Sequence, residues 1–272
     1  MYWRYYNHAV IPKTPPHIDV DTTVIKNGSV WNIWGGTPLL ARWTTDFDCG
    51  FETNWWYCIK DTSFDIASLP SKKRYEINKG KKNFNVREID PVENVDGIIE
   101  VQHKAWANYP EAYRPTFDAD GVRKNIQQWR SYKMFGAFSS VTDELCAYAC
   151  IKEYETWADF SILKANAVNA AMVAGICEFY NNKLSQSFYI CDGERNVVHQ
   201  TAFQEYLIKY FGFRRAYCKL NLTYKPPMGI VVKCLYPFRS LVHKHNKTKI
   251  SSKIDAVLLM EEISRTDKKL LR

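Results

Sequence analysis

The stretch Pro70-Ser-Lys-Lys-Arg-Tyr-Glu-Ile-Asn-Lys-Gly-Lys-Lys-Asn-Phe-Asn-Val-Arg-Glu-Ile89 constrains this chain more than any other. Proline is tolerated at a helix start, so Pro70-Ser71 opens a short basic helix, and Gly80 is the expected stop. Phe84, Val86 and Ile89 then predict a strand. A helix handing over to a strand in this way begins a new folding unit. The sequence therefore predicts a β-rich, aromatic extension over 1–68, an α/β domain over 69–240, and a basic loop with a C-terminal helix over 241–272.

In the extension, Pro12, Pro15 and Pro16 break any helix, and the aromatic residues among them predict an extended arm. Asn27-Gly28 marks a tight turn, Val30–Trp34 reads as a strand, and Leu39–Trp43 and Trp55–Ile59 as two more. Trp3, Trp31, Trp34, Trp43, Trp55 and Trp56 form a core, a stacking platform or a cleft wall. In Arg42-Trp43-Thr44-Thr45-Asp46-Phe47-Asp48, polar and acidic groups interrupt an apolar series as at the mouth of a site. This makes Trp43 and Asp46 candidates for binding a substrate.

Beyond residue 83 the signals are clearer. A helix runs from Asp90-Pro91 to about Ala107, and a second, capped by Asp118 or Asp120, runs to about Tyr132. Strands follow at 134–141, 145–153 and 159–163, with a hairpin at Thr142-Asp143. An alanine-rich helix over 165–182 leads to a strand at 187–191 and a turn at Asp192-Gly193-Glu194-Arg195. Asn196 is placed to cap a helix whose apolar residues recur from Val198 to Phe211. Two strands, 216–222 and 230–235, and a helix opened by Ser252 with Asp255 three residues on complete the chain.

The net charge of +8 points to an anionic partner, whether a nucleic acid such as tRNA, a phosphorylated cofactor or a membrane surface. The positive residues gather at Lys72–Lys82 and His243–Lys253. No apolar run is long enough to cross a bilayer and the first residues lack a secretion signal, which predicts a cytoplasmic protein. The eight cysteines sit mostly in apolar strand or helix patterns, so they are expected to be reduced and buried. No Cys-x-x-Cys or His-x-x-x-His pair occurs, and no metal site is expected.

The order from Asn83 onward (strand, helix, helix, three strands, helix, strand, helix, strands) resembles the GNAT acyltransferase fold. That family's mixed sheet splays between its fourth and fifth strands to admit an acyl donor. Phe211-Gly212-Phe213-Arg214 is similar to the Gly-Phe that closes the family's penultimate helix. Leu69–Gly80 resembles the helix leading into the second GNAT-like domain of FemAB-family aminoacyl transferases, which are linked with peptidoglycan and surface polysaccharides. CoA-using members carry a glycine-rich pyrophosphate loop after the fourth strand. The matching stretch here, Lys164-Ala165-Asn166-Ala167-Val168-Asn169, has no glycine. The resemblance implies that Lys164, Ala165, Asn166, Ala167 and Asn169, with Asn196, would hold the donor, either acetyl-CoA or another acyl-CoA, or an aminoacyl-tRNA. The family's general-acid tyrosine falls on Ile208, with Tyr206 and Tyr210 on other faces of the helix.

Acyl transfer to an amine needs a group to accept the amine proton. The densest polar cluster is Asp192, Glu194, Arg195, Asn196, His199 and Thr201. An imidazole ordinarily titrates near neutral pH, so His199, with Asp192 and Glu194 near it in the sequence, makes a set of three catalytic candidates; the other reading is a helix cap with solvated neighbours. Arg74 is a candidate for a donor or acceptor phosphate. By analogy with the fold, Tyr109 and Arg114 lie where acceptors bind. The sequence reading is an acyltransferase that moves an acyl or aminoacyl group onto an amine of a cell-envelope or polysaccharide precursor. Its rivals are an acetyl-CoA-dependent N-acetyltransferase with an atypical loop and a catalytically silent GNAT-like binding module.

Overall fold

The computed structural model describes residues 2–108, 114, 116–165, 169–184, 186–195, 197, 202–245 and 248–269. In chain order the elements are β1 (Trp3–Tyr6), β2 (Ala9–Pro12), α1 (Thr23–Lys26), β3 (Leu40–Thr45), β4 (Trp55–Lys60), α2 (Ser71–Asn83), β5 (Phe84–Glu88), α3 (Val95–Ala107) and α4 (Ala119–Gln128). There follow β6 (Lys133–Ser139), β7 (Leu145–Glu153), β8 (Trp157–Ala165), α5 (Asn169–Phe179), α6 (Asn181–Leu184), β9 (Tyr189–Glu194), α7 (Ala202–Phe211), β10 (Arg214–Tyr224), α8 (Met228–Leu235), α9 (Arg239–Lys244) and α10 (Lys249–Lys269). From β5 to β10 this is the order expected from the sequence, except that the single helix expected over 165–182 is two, α5 and the short α6, with Ala165 still in β8.

Several local expectations are corrected. The first residues form a hairpin, β1 against β2 with Tyr6 opposite Ala9, rather than a lone arm. Residues 30–34 are not a strand: Ser29–Asn32 is a single 3₁₀ turn entered through Gly28 at φ 77°. Gly80 does not stop α2, which runs on to Asn83. A Cβ there would lie 2.9 Å from the Cβ of Ala171, so this glycine serves close helix packing. Met228–Leu235 is a helix, because its apolar side chains meet the core from one helical face, with Val232 buried and Ile230 exposed. Asp192-Gly193-Glu194 ends β9 rather than forming a turn. The final helix is capped by Thr248 and Ser251, not Ser252 and Asp255: the Ser251 amide donates to Thr248 Oγ1 at 3.1 Å and the Thr248 amide to Ser251 Oγ at 2.9 Å.

The chain forms two compact units. Unit 1 comprises residues 1–57, 194–202 and 215–272, and unit 2 comprises 58–193 and 203–214. In unit 1 the strand order is β1-β2-β3-β10, with β2 parallel to β3 and β3 antiparallel to β10. Its core joins Trp55, Leu40, Cys218 and Leu220 to Met260 and Ile263 of α10. Thr53 Oγ1 lies 2.7 Å from the carbonyls of both Trp55 and Cys218, so its single hydroxyl proton is donated to one of these buried backbone acceptors or shared between them.

In unit 2 the order is β9-β8-β7-β6-β5, antiparallel except for β8 with β9. Ile98 and Val101 of α3 and Val122 and Ile126 of α4 cover one part of this sheet at Met134, Tyr148 and Cys150. Tyr148 donates to Gln102 Oε1 at 2.7 Å, which lets both polar groups stay buried. Burial also pushes the Cys150 and Cys177 thiols up to about 12, so they are inert. All eight cysteines are thiols; five are buried, whereas Cys234 is exposed on α8.

Candidate active site

Among the described residues, the sheet of unit 2 parts between β8 and β9. β7 pairs with β8 along nearly all of β8, from Glu153 opposite Ala158 to Ala147 opposite Ala165. On its other edge β8 meets β9 at only three positions, Trp157 with Tyr189, Ala158 with Ile190 and Asp159 with Cys191. Beyond Asp159 the two strands part, leaving backbone donors and acceptors unused by sheet pairing along both edges. This is the splay that the sequence resemblance implied.

Asp192 is the first residue of β9 past the last pair. Burial drives its carboxyl up to about 7, the negative charge of Asp159 pushes the same way, and a hydrogen bond from Gln204 in the first turn of α7 opposes both. A carboxylate poised near neutrality accepts a proton efficiently at physiological pH. Neither Gln204 nor Asp159 is marked by local pattern as a neighbour of Asp192; the β8–β9 register and the packing of α7 bring them there.

The other sequence candidates are held differently. Glu194 forms an ion pair with Arg42, whose guanidinium lies 5.6 Å from the Trp55 ring centre. The Arg195 amide donates to the Trp56 carbonyl at 2.8 Å, and its guanidinium to the Asn54 carbonyl at 2.6 Å. Trp43 packs edge-on against Trp3 at 6.2 Å in the aromatic core of unit 1. Asp46, at φ 54°, pairs with Lys219 at 2.8 Å, a bond that holds its carboxyl below the usual range. Arg74 donates to the carbonyls of Ala67 and Leu69 and to Ser71 Oγ at 3.1, 2.8 and 3.2 Å, closing the loop before α2. Arg114 donates to the Ala107 carbonyl at 3.0 Å, at the end of α3.

Lys164 stands opposite Tyr148 near the end of β8, Ala165 is its last residue, and Asn169 begins α5. Asn166, Ala167, Asn196, His199 and Tyr109 lie outside the described residues. Tyr206 and Tyr210 are engaged by Lys73 of α2, whose ammonium sits 4.7 and 4.2 Å from their ring centres. Lys73 is buried, so part of the basic helix is structural rather than solvated. Lys60, also buried, carries no local signal in the sequence that marks it out. Its ammonium makes a 3.4 Å hydrogen bond to the Ser63 carbonyl and lies 5.8 Å from the Phe64 ring centre, and burial lowers its pKa.

A separate cavity of about 270 Å³ lies in unit 1 between α9 and α10, lined by Arg239, Ser240, His243, Asp255 and Glu262. Its charges are internally matched: Arg239 pairs with Glu262 at 2.9 Å and His243 with Asp255 at 3.0 Å.

No family model matches this chain, and no curated protein matches it. Among solved structures it is similar to L-PGS from Bacillus licheniformis, with a TM-score of 0.50 and 11% identity over 87% of this chain and 84% of that one. It is also similar to the C-terminal domain of a candidate lysylphosphatidylglycerol synthetase from Agrobacterium fabrum, with a TM-score of 0.47 and 8% identity over 85% and 82% of the two chains. A tandem GNAT protein from the clavulanic acid pathway matches with a TM-score of 0.42 and 10% identity over 80% and 76%. At these identities the likeness concerns the fold alone. The fold is mixed α/β, with its sheet parted between β8 and β9.

Proposed function

We propose that this protein is an acyltransferase that moves an acyl or aminoacyl group onto an amine by direct attack within a ternary complex, with Asp192 as the general base. The observation that supports this best is the coincidence of two features: β8 and β9 part after Asp159 and Cys191, and the next residue of β9 carries a carboxyl raised to about 7. Above that pH the Asp192 carboxylate takes a proton from the acceptor ammonium. The freed amine nitrogen attacks the donor carbonyl carbon to form a C–N bond. The tetrahedral intermediate then gives its extra N–H proton to the departing thiolate or alkoxide as the C–S or C–O bond breaks, leaving an amide and a thiol or alcohol, and Asp192 releases the first proton to water. Gln204 fixes the carboxylate, and Asp159 keeps its affinity for the proton high. The donor sits in the parting, as acetyl-CoA or as an aminoacyl-tRNA, the latter in keeping with the FemAB-like segment Leu69–Gly80. The acceptor is an amine of a cell-envelope or polysaccharide precursor.

Thermal unfolding with and without acetyl-CoA, followed by thiol release with a panel of amine acceptors, tests the reading. A donor at about 100 times its dissociation constant adds about 2.7 kcal/mol of stability. The expected result is an upward shift kept in Asp192→Asn, with turnover in that variant lowered about 10²- to 10⁴-fold. Absence of both shift and turnover with acetyl-CoA and with aminoacyl-tRNA would refute the function. Full turnover in Asp192→Asn would refute the base.

A further inference from the structure

From Lys225 to Ile254 the chain has seven Lys or Arg residues and no Asp or Glu. This segment forms α8, the turn after it, α9 and the opening of α10, which pack on one another in unit 1. Val232 points inward, but Ile230, Phe238, Leu241 and Ile250 turn outward at 67, 56, 57 and 74% exposure. Single exposed apolar residues are ordinary; four within one stretch of mutually packed helices are not. Between them stand Lys233, Lys244 and Lys253, exposed and without an ion pair among the described residues. The acidic groups facing this surface from α10 are Asp255 and Glu262, which pair with His243 and Arg239.

The register of the sheet extends the surface. Leu40 of β3 lies opposite Tyr224 of β10, and the Lys225 amide donates to the Leu39 carbonyl at 2.9 Å. The loop before β3 therefore lies at the same end of this sheet as the helices after β10. That loop carries Trp34, which is 95% exposed.

We propose that this end of unit 1 docks on the surface of an anionic phospholipid bilayer. Aliphatic side chains there gain by entering the acyl boundary, tryptophan favours the interface, and each lysine is drawn to the negative headgroups. Among the described residues no helix is long and apolar enough to cross a membrane, so the contact is interfacial. A nucleic-acid partner accounts for the lysines but not for Ile230, Leu241 and Ile250, which have no ring face on which a base can stack.

The test is flotation of the full chain with vesicles containing phosphatidylglycerol, against vesicles of phosphatidylcholine alone, at low and high salt. Preferential binding to the anionic vesicles is expected, weakened by salt and by about fivefold for each of Lys233→Gln and Lys244→Gln. Ile230→Glu with Leu241→Glu should abolish it while the unfolding midpoint is retained, because both side chains are exposed. Asp192→Asn should float like the wild type, which separates this proposal from the catalytic one. No binding at low salt, equal binding to phosphatidylcholine, or unchanged binding in the glutamate variant would each overturn the proposal. Tight binding of an RNA duplex that the glutamate variant leaves intact would assign the surface to nucleic acid instead.

Discussion

Replacing Asp192 by Asn should make the protein more stable and less active at once. The carboxyl titrates at about 7 in the fold against an ordinary value of 3.8, because burial and Asp159 penalise its charge. Three pKa units at about 1.36 kcal/mol each set a ceiling of roughly 4 kcal/mol on the cost of ionising it in place. The folded state holds this proton more tightly than the unfolded one. The cost is therefore absent below about pH 4, accumulates at about 1.4 kcal/mol per pH unit, and is complete above about pH 7. Asparagine matches the shape, keeps a hydrogen bond to Gln204 and cannot ionise. Urea unfolding of both proteins at about pH 5 and about pH 8 should show the advantage of the variant growing by ~2.5 kcal/mol between the two. Two unfolding curves whose difference is the same at both pH values would show that Asp192 is an ordinary carboxylate and remove the basis for assigning it as the base.

Gln204→Leu deletes the bond that lowers the Asp192 pKa, so the rising limb of kcat/KM against pH should move to higher pH. Gly175→Ala, which improves helix propensity, should still destabilise by about 1–3 kcal/mol in chemical denaturation, since a Cβ there would lie 2.7 Å from Val86 Cγ1. Arg42→Ala leaves Glu194 partly buried without its ion-pair partner and should cost about 1–3 kcal/mol, with Glu194→Gln in the same chain recovering part of it; a double-mutant cycle reads the coupling. Lys60→Met should raise the unfolding midpoint at neutral pH. A depressed lysine pKa costs stability below the folded value and nothing above the unfolded one, so the wild type's gain in stability toward alkaline pH should be reduced in this variant.

The order of elements from β5 to β10 was readable because it rests on local signals. Asp118 capping α4, with its Oδ1 3.0 Å from the Gly121 amide, and the positive φ of Asp143 at the hairpin are properties of a few consecutive residues. The misread segments are those where a short apolar run suits either period. Val30–Trp34 and Ile230–Leu235 are β-branched or aromatic enough to suggest strands, and what they pack against makes them a 3₁₀ turn and a helix.

By itself, then, the sequence determined the order of strands and main helices from β5 to β10, because hydrophobic period, caps and turns act over a few residues. Only the tertiary structure decided which polar side chains are committed and which are poised. Arg74, Glu194 and Asp46 look available in the sequence and are engaged by carbonyls, Arg42 and Lys219. Asp192 looks like one more turn residue, and becomes the carboxyl of interest because β8 leaves β9 just before it and α7 covers it. Burial and charge pairing depend on residues far apart in the chain, and no local pattern carries that information.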